Sequence, residues 1–228
     1  MSYDLFIADK SFSSWSLRGW LLFEKFGIPY TEHLLGLYAG TMQEELKPLT
    51  PARFVPTVRT PEGWVIGESI ALAETLAERH PEAGIWPEDA EARIYARWLV
   101  AEMHAGFTAL RGACAMQLLH QYQGFEITDA VQADLDRLEL VLGIAFERFS
   151  GEGPWLFGRF TAADAFYAPV AARITGYDLP VSQRLQAYVA THLKDPAFKA
   201  WRAEGLKVSY DPAPYALDLP TQDWPDPA

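Results

Sequence analysis

A chain of 228 residues, 50% hydrophobic and 21% charged, has apolar content for two cores of about 100 to 150 residues each, and no apolar run approaches the roughly 18 residues that span a bilayer. A net charge of −11 without clustered Lys and Arg argues against a nucleic-acid partner and leaves a small molecule or another protein. Cys114 is the only cysteine, which excludes an internal disulfide and a thiolate metal cluster and reads as a small buried core residue.

The opening Met1-Ser2-Tyr3-Asp4 carries an acid and no basic lead, unlike a secretory signal, so a cytoplasmic protein is expected. The apolar run at residues 3–8 reads as a strand and the pattern up to Phe26 as a helix, with Ser13-Ser14-Trp15-Ser16-Leu17-Arg18 at the handover. A helix start leaves unpaired N–H groups and carries about half a positive charge, so an anion, including a thiolate, is favoured there. Up to about Arg79 the order reads strand, helix, strand, helix, two short strands, helix, with breaks at Gly27-Ile28-Pro29, residues 48–51, Pro61-Glu62-Gly63 and Gly67. Pro61-Glu62-Gly63 joins residues 55–60 to residues 64–66 as an antiparallel hairpin that closes a small mixed sheet.

The polar, breaker-rich stretch around residues 80–89 marks a boundary, giving an α/β domain over residues 1–80 and an all-helical domain over residues 89–228. A long helical stretch at residues 89–119 carries Ile94, Trp98, Met103, Phe107 and Leu110, with bending or close packing at Gly106 and Gly112, and is a candidate cleft wall. A second helix puts Val131, Leu135, Leu138, Leu142, Ala145 and Phe149 on one stripe, with Asp129 and Asp134 near its positive end. Thr161-Ala162-Ala163-Asp164 is a helix-start box, and Pro169 is expected to kink the helix it opens. From Tyr210 on, five prolines (Pro212, Pro214, Pro220, Pro225 and Pro227) make an extended, non-helical tail.

No repeat, low-complexity tract or Gly-rich phosphate loop occurs. His33, His80, His104, His120 and His192 lack the i, i+4 pairing of a metal site, so no metal is expected.

Four patterns stand in one order: the Ser13 to Arg18 run, Thr50-Pro51-Ala52-Arg53-Phe54-Val55-Pro56-Thr57-Val58, Gly67-Glu68-Ser69-Ile70-Ala71, and the Thr161 box before an all-helical end. Together they resemble the cytosolic glutathione transferases over residues 3–205, nearest the serine-type branch that includes the zeta class and the maleylacetoacetate isomerases. Trp15 stands where that branch has a cysteine, a departure that bears on isomerase activity more than on glutathione binding.

The resemblance implies a thioredoxin-like N-terminal domain, an all-helical C-terminal domain, a cleft between them and a homodimer, with glutathione as co-substrate. By position Ser13 matches the catalytic serine, with Ser14 in reserve; the hydroxyl would donate a hydrogen bond to the glutathione sulfur. A serine here can equally cap the helix. Val55-Pro56 resembles the family's cis proline, which leaves the Val55 main chain facing the cysteinyl backbone of glutathione. Ser69 and the helix start suit the γ-glutamyl carboxylate, and Glu68 the ammonium. Arg53, Lys47 and Gln43 are the candidates for the glycyl carboxylate. Arg18 reads as a structural ion-pair partner. Met103, His104, Phe107 and Arg111 would line the second-substrate site, although core packing is the competing role for such a stripe.

The function implied is conjugation of glutathione to an electrophilic apolar small molecule, as in detoxification. The alternatives are glutathione-dependent cis-trans isomerisation of the maleylacetoacetate type and a non-catalytic binding or stress protein on the same scaffold.

Overall fold

The computed structural model describes residues 2–36, 40–207 and 215–225. Strand β1 (Tyr3–Ala8) is followed by α1 (Ser14–Glu24), which crosses over to the parallel strand β2 (Tyr30–Leu35). After α2 (Met42–Leu46) and a 3-10 turn at Lys47–Leu49, β3 (Thr57–Arg59) runs antiparallel to β1, and β4 (Val65–Ile66) returns beside it. The sheet order is β2-β1-β3-β4. Alternation along β1 builds two faces: Tyr3, Leu5 and Ile7 enter the main core, while Phe6 joins a smaller cluster around Leu35, Leu46 and Leu49. The last strand leads into α3 (Ser69–Arg79), which packs beside α1.

Beyond a 3-10 turn at Pro81–Ala83 come α4 (Ala90–Ala105), α5 (Thr108–Ala113), the short strand β5 (His120–Tyr122), and α6 (Asp129–Phe149). They are followed by α7 (Ala162–Gly176), α8 (Gln183–Lys194), α9 (Pro196–Gly205) and a last strand β6 (Thr221–Asp223). Every residue of α7 is buried, because α1, α4 and α8 all pack against it. The box that opens it is formed: Asp164 accepts hydrogen bonds from Thr161 N at 2.8 Å, Leu156 N at 3.2 Å and Tyr188 Oη at 2.9 Å. The helix runs through Pro169. One continuous core joins α1 and α3 to the helical layer, so the two halves hold a fixed relation across the cleft.

The single long helix expected at residues 89–119 is two helices. Gly106 is extended, Phe107 takes φ 53° in the left-handed region, and the helix breaks there. Arg111 Nη1 then donates to the carbonyls of His104 and Gly106 and satisfies the end of α4, while Asp134 accepts from Leu110 N instead of serving its own helix. The face that α4 buries is Ala92, Tyr95, Ala96, Leu99, Val100 and Met103; Ile94 and Trp98 point outward, 69% and 53% exposed. The stripe of α6 is as expected through Ala145, with Val141 added.

Of the tail, residues 210–214 lie outside the described residues. Thr221–Asp223 pairs antiparallel with His120–Tyr122, and Tyr122 Oη donates to Tyr215 O at 2.9 Å. No described helix is long and apolar enough to cross a membrane.

Candidate functional site

A cleft of about 520 Å³ opens between the sheet layer and the helical layer. One wall is the start of α1 with Phe12, Ser13, Ser14 and Trp15; the second is Phe54, Val55 and Pro56 with Gly67, Glu68 and Ser69; the third comes from the helical layer, with His104, Arg111 and Arg173 on helices and Met116 in the segment after α5. Tyr215, brought back by the β5–β6 pair, completes it and packs on Phe12 with ring centroids 5.1 Å apart.

The adjacent serines of the first wall are not equivalent. Ser13 is the N-cap of α1: its Oγ donates to Ser16 Oγ at 2.7 Å and accepts from Ser16 N at 3.4 Å. Ser16 Oγ in turn accepts from Ala8 N at 3.0 Å and ties β1 to the helix. The hydroxyl of Ser14, the first helical residue, has one hydrogen-bond partner among the described residues, Arg173 Nη2 at 3.5 Å, which donates to its oxygen. Its O–H remains to be given away, in line with the opening N–H groups of an 11-residue helix.

On the second wall the Val55-Pro56 bond is cis, as is Thr50-Pro51. The Val55 N–H and C=O make no hydrogen bond among the described residues and flank the cleft. Ser69 opens α3 with a buried hydroxyl that has no partner among the described residues, and the preceding Glu68 leaves its carboxylate exposed, 3.8 Å from His104 Nε2. Burial lowers the pKa of His104, so its imidazole is neutral at pH 7.

Arg18 departs from its expected role. It is fully buried with no carboxylate beside it among the described residues and lies over the rings of Trp15 at 4.7 Å and Phe166 at 5.3 Å. Cys114 is buried, and loss of solvent pushes its thiol up to about 12, so it is a core residue and no nucleophile.

Of the residues singled out from sequence, Ser13, Ser14, Val55, Pro56, Glu68, Ser69, His104 and Arg111 meet around this cleft. Met103 and Phe107 do not: both side chains are buried in the core, 0% and 5% exposed, Met103 on the face that α4 buries and Phe107 at the break that follows it. Arg53 stands outside the wall, its carbonyl accepting from Gln43 Nε2, and Lys47 pairs with Glu44 on the surface. The residue that sequence reasoning missed is Arg173. Its signal was a lone cation within the apolar run of Ala162–Gly176, a position that needs a polar reason.

Residues 12–79 match the family model for the glutathione S-transferase N-terminal domain. The chain is 30% identical over 116 residues to a maleylacetoacetate isomerase of Dictyostelium discoideum, covering 50% of this chain and 52% of that one. It is 31% identical over 144 residues to a probable maleylacetoacetate isomerase of Caenorhabditis elegans, covering 63% and 65%. The chain thus spans about half to two thirds of these relatives' length. Among solved structures, a Burkholderia glutathione transferase homolog with bound glutathione superposes with a TM-score of 0.68 at 22% identity, covering 91% of this chain and all of that one. An unclassified glutathione S-transferase from Bombyx mori gives 0.69 at 20% identity, covering 90% and 95%. With its thioredoxin-like β/α domain followed by a helical domain, the chain has the glutathione transferase fold, and its residues 12–79 are similar to that family's N-terminal domain.

Proposed function

We propose that this protein binds glutathione in the cleft, holds its sulfur as a thiolate through a serine hydrogen bond, and conjugates it to an electrophilic apolar small molecule. The observation that carries this is the convergence of an unspent Ser14 hydroxyl, an unpaired Val55 main chain and the open start of α3 around one cleft. Val55 pairs with the cysteinyl backbone as an added strand, Ser69 and the α3 N–H groups hold the γ-glutamyl carboxylate, and Glu68 takes the ammonium. The sulfur then lies at the start of α1.

Ser14 is the donor in this reading and Ser13 the cap, since Ser13 already spends its proton on Ser16. A thiol of pKa about 8.5 is only about 3% ionised at pH 7, and lowering that pKa by two units needs about 2.7 kcal/mol. A hydrogen bond to the anion supplies about 1.5–3 kcal/mol and the helix start about 0.3–1, so no general base is required. The thiol proton leaves to solvent. The thiolate then forms a carbon–sulfur bond by addition or by displacing a leaving group, against an apolar surface of Phe54, Met116 and Trp15.

Titration of the ultraviolet thiolate band of bound glutathione tests the assignment: Ser14→Ala raises the apparent pKa toward 8.5, and Ser13→Ala leaves it unmoved. The reverse pattern returns the role to Ser13, and no calorimetric binding at millimolar glutathione rejects the reading altogether.

The names of the curated relatives favour a second reading, glutathione-dependent isomerisation of a maleyl-type diketo acid, in which the thiolate adds to a double bond and departs again. Glutathione recovered unaltered after turnover separates it from conjugation. A non-catalytic glutathione binder is the remaining alternative, and an unshifted thiol pKa would favour it. The outward Ile94 and Trp98 suit a homodimer, which sedimentation measures, in a cytoplasmic setting.

A further inference from the structure

Three guanidinium groups gather behind the Ser14 wall without a counter-charge among the described residues. Arg18 on α1 and Arg173 on α7 are 0% and 3% exposed, and Arg111 on α5 borders the cleft. None of them has a carboxylate within ion-pair distance among the described residues, and all three nitrogens of Arg18 and the Nε of Arg111 lack any acceptor. Arg18 and Arg111 both pack on the Trp15 ring, at 4.7 and 4.5 Å. Burial, with repulsion from Arg111, lowers Arg173 to about 10, and burial with repulsion from both others lowers Arg18 well below its ordinary value. Buried cations without partners are a cost to the folded state, and an arriving anion relieves it.

The geometry says which anion. Arg18 is enclosed and is not part of the cleft wall, so it cannot touch a ligand and acts only through its field. Arg173 is pinned: its Nε donates to Cys114 O at 2.8 Å and its Nη1 to Pro169 O at 3.2 Å, which leaves Nη2 aimed at Ser14 Oγ. A hydroxyl that accepts from a fixed guanidinium has its own proton directed elsewhere, here into the cleft. The titratable groups that act on these cations among the described residues do not cancel the charge. His104 is neutral, burial keeps Tyr167, Tyr177 and Cys114 protonated, Tyr215 closes the wall beyond Phe12, and Glu68 stands at the far end beside His104.

We infer that Arg173 is the positioning residue of thiol activation: it donates to Ser14 and turns the Ser14 proton onto the glutathione sulfur, while Arg18 and Arg111 add the positive potential that the thiolate neutralises. This rests on the glutathione reading above and names what makes Ser14 an effective donor. The acid given up on activation is the thiol proton, which passes to water, so the protein's own protonation is unchanged.

The test uses the full chain and its Arg173→Gln, Arg173→Lys, Ser14→Ala and Ser14→Ala/Arg173→Gln variants. Calorimetry with glutathione and with S-methylglutathione, which has no ionisable thiol, comes first; the thiolate band is then titrated. Arg173→Gln should raise the apparent thiol pKa by about one unit, with S-methylglutathione affinity held within about twofold of wild type. Arg173→Lys, which keeps the charge and loses the fixed fork, should recover part of the shift, and the double variant should show less than the sum of the single shifts. Should Arg173→Gln fail to fold by circular dichroism, Arg173→Lys against wild type carries the test. An unmoved pKa in every folded Arg173 variant overturns the inference, as does an Arg173→Gln protein whose only defect is a raised KM for a carboxylate-bearing electrophile. A wild-type protein that binds neither ligand, or binds glutathione without lowering its thiol pKa, rejects the glutathione reading itself, whereas a pKa lowered in wild type and equally lowered in the folded Arg173 variants rejects this inference alone.

Discussion

Gly19 links the packing of α1 to the glutathione wall, and one methyl group tests the link. A Cβ at this position would stand 2.6 Å from both Cβ and Cγ of Pro56. Carbon atoms pack best at about 3.5–4.0 Å, so the overlap is about 1 Å against ring atoms that cannot rotate away. Overpacking of this kind costs about 1–3 kcal/mol, while replacing a glycine inside a helix returns at most about 1 kcal/mol. Gly19→Ala should therefore lose about 1–2 kcal/mol, and the strain is relieved by moving Pro56 and the adjoining Val55 main chain, which should weaken glutathione binding about tenfold. Gly143→Ala is the control, because nothing lies within 4 Å of its would-be Cβ in the middle of α6. The same chemical change there should stabilise by about 0.5–1 kcal/mol. Urea unfolding of the three proteins and calorimetry with glutathione measure both quantities. If Gly19→Ala is as stable as Gly143→Ala, or is destabilised with glutathione affinity intact, the coupling between helix packing and the cleft wall is refuted.

Asp164 is fully buried, and burial outweighs its hydrogen bonds and pushes its carboxyl from 3.8 up to about 6. The folded chain therefore binds this proton more tightly than the unfolded chain, so the contribution is full below about pH 4 and is lost as pH rises through about 6, amounting to about 3 kcal/mol. The stability difference between wild type and Asp164→Asn should shift by that amount in the destabilising direction for wild type between pH 4 and 7; a flat difference refutes the raised pKa. Cys114, held near 12 and enclosed, should resist iodoacetamide at pH 8 in the native protein and react completely in 6 M urea, read by mass spectrometry. Tyr122→Phe removes the hydroxyl that donates to Tyr215 O and accepts from Leu217 N, and should weaken the tail's attachment by about 1–2 kcal/mol. Faster amide exchange confined to residues 217–223 is the expected readout, and unchanged exchange there would mean that β5 and β6 hold the tail without it.

What was legible in the sequence was what periodicity and punctuation report one segment at a time. The strand and helix order of the first 79 residues, the stripe of α6 and the Thr161 to Asp164 box each follow from spacing alone, because the face a side chain takes is set by its neighbours three and four places away. The break between α4 and α5 was not legible, since it depends on Phe107 accepting a left-handed conformation and on Asp134 and Arg111 reaching in to satisfy the two helix ends. Half of the cleft had the same character. Ser13 and Ser14 are indistinguishable as letters; Ser13 is set apart by its bonds to Ser16, and Ser14 by a guanidinium 159 residues further along the chain. A lone arginine in an apolar helix announces that something polar must face it, yet the helix's own period cannot name the partner, because α1 and α7 meet only through the core that both halves share. The orientation of the Ser14 hydroxyl is therefore a tertiary property: removing the Arg173 fork should weaken Ser14 as a donor to the thiol while leaving every local signal of the α1 start intact.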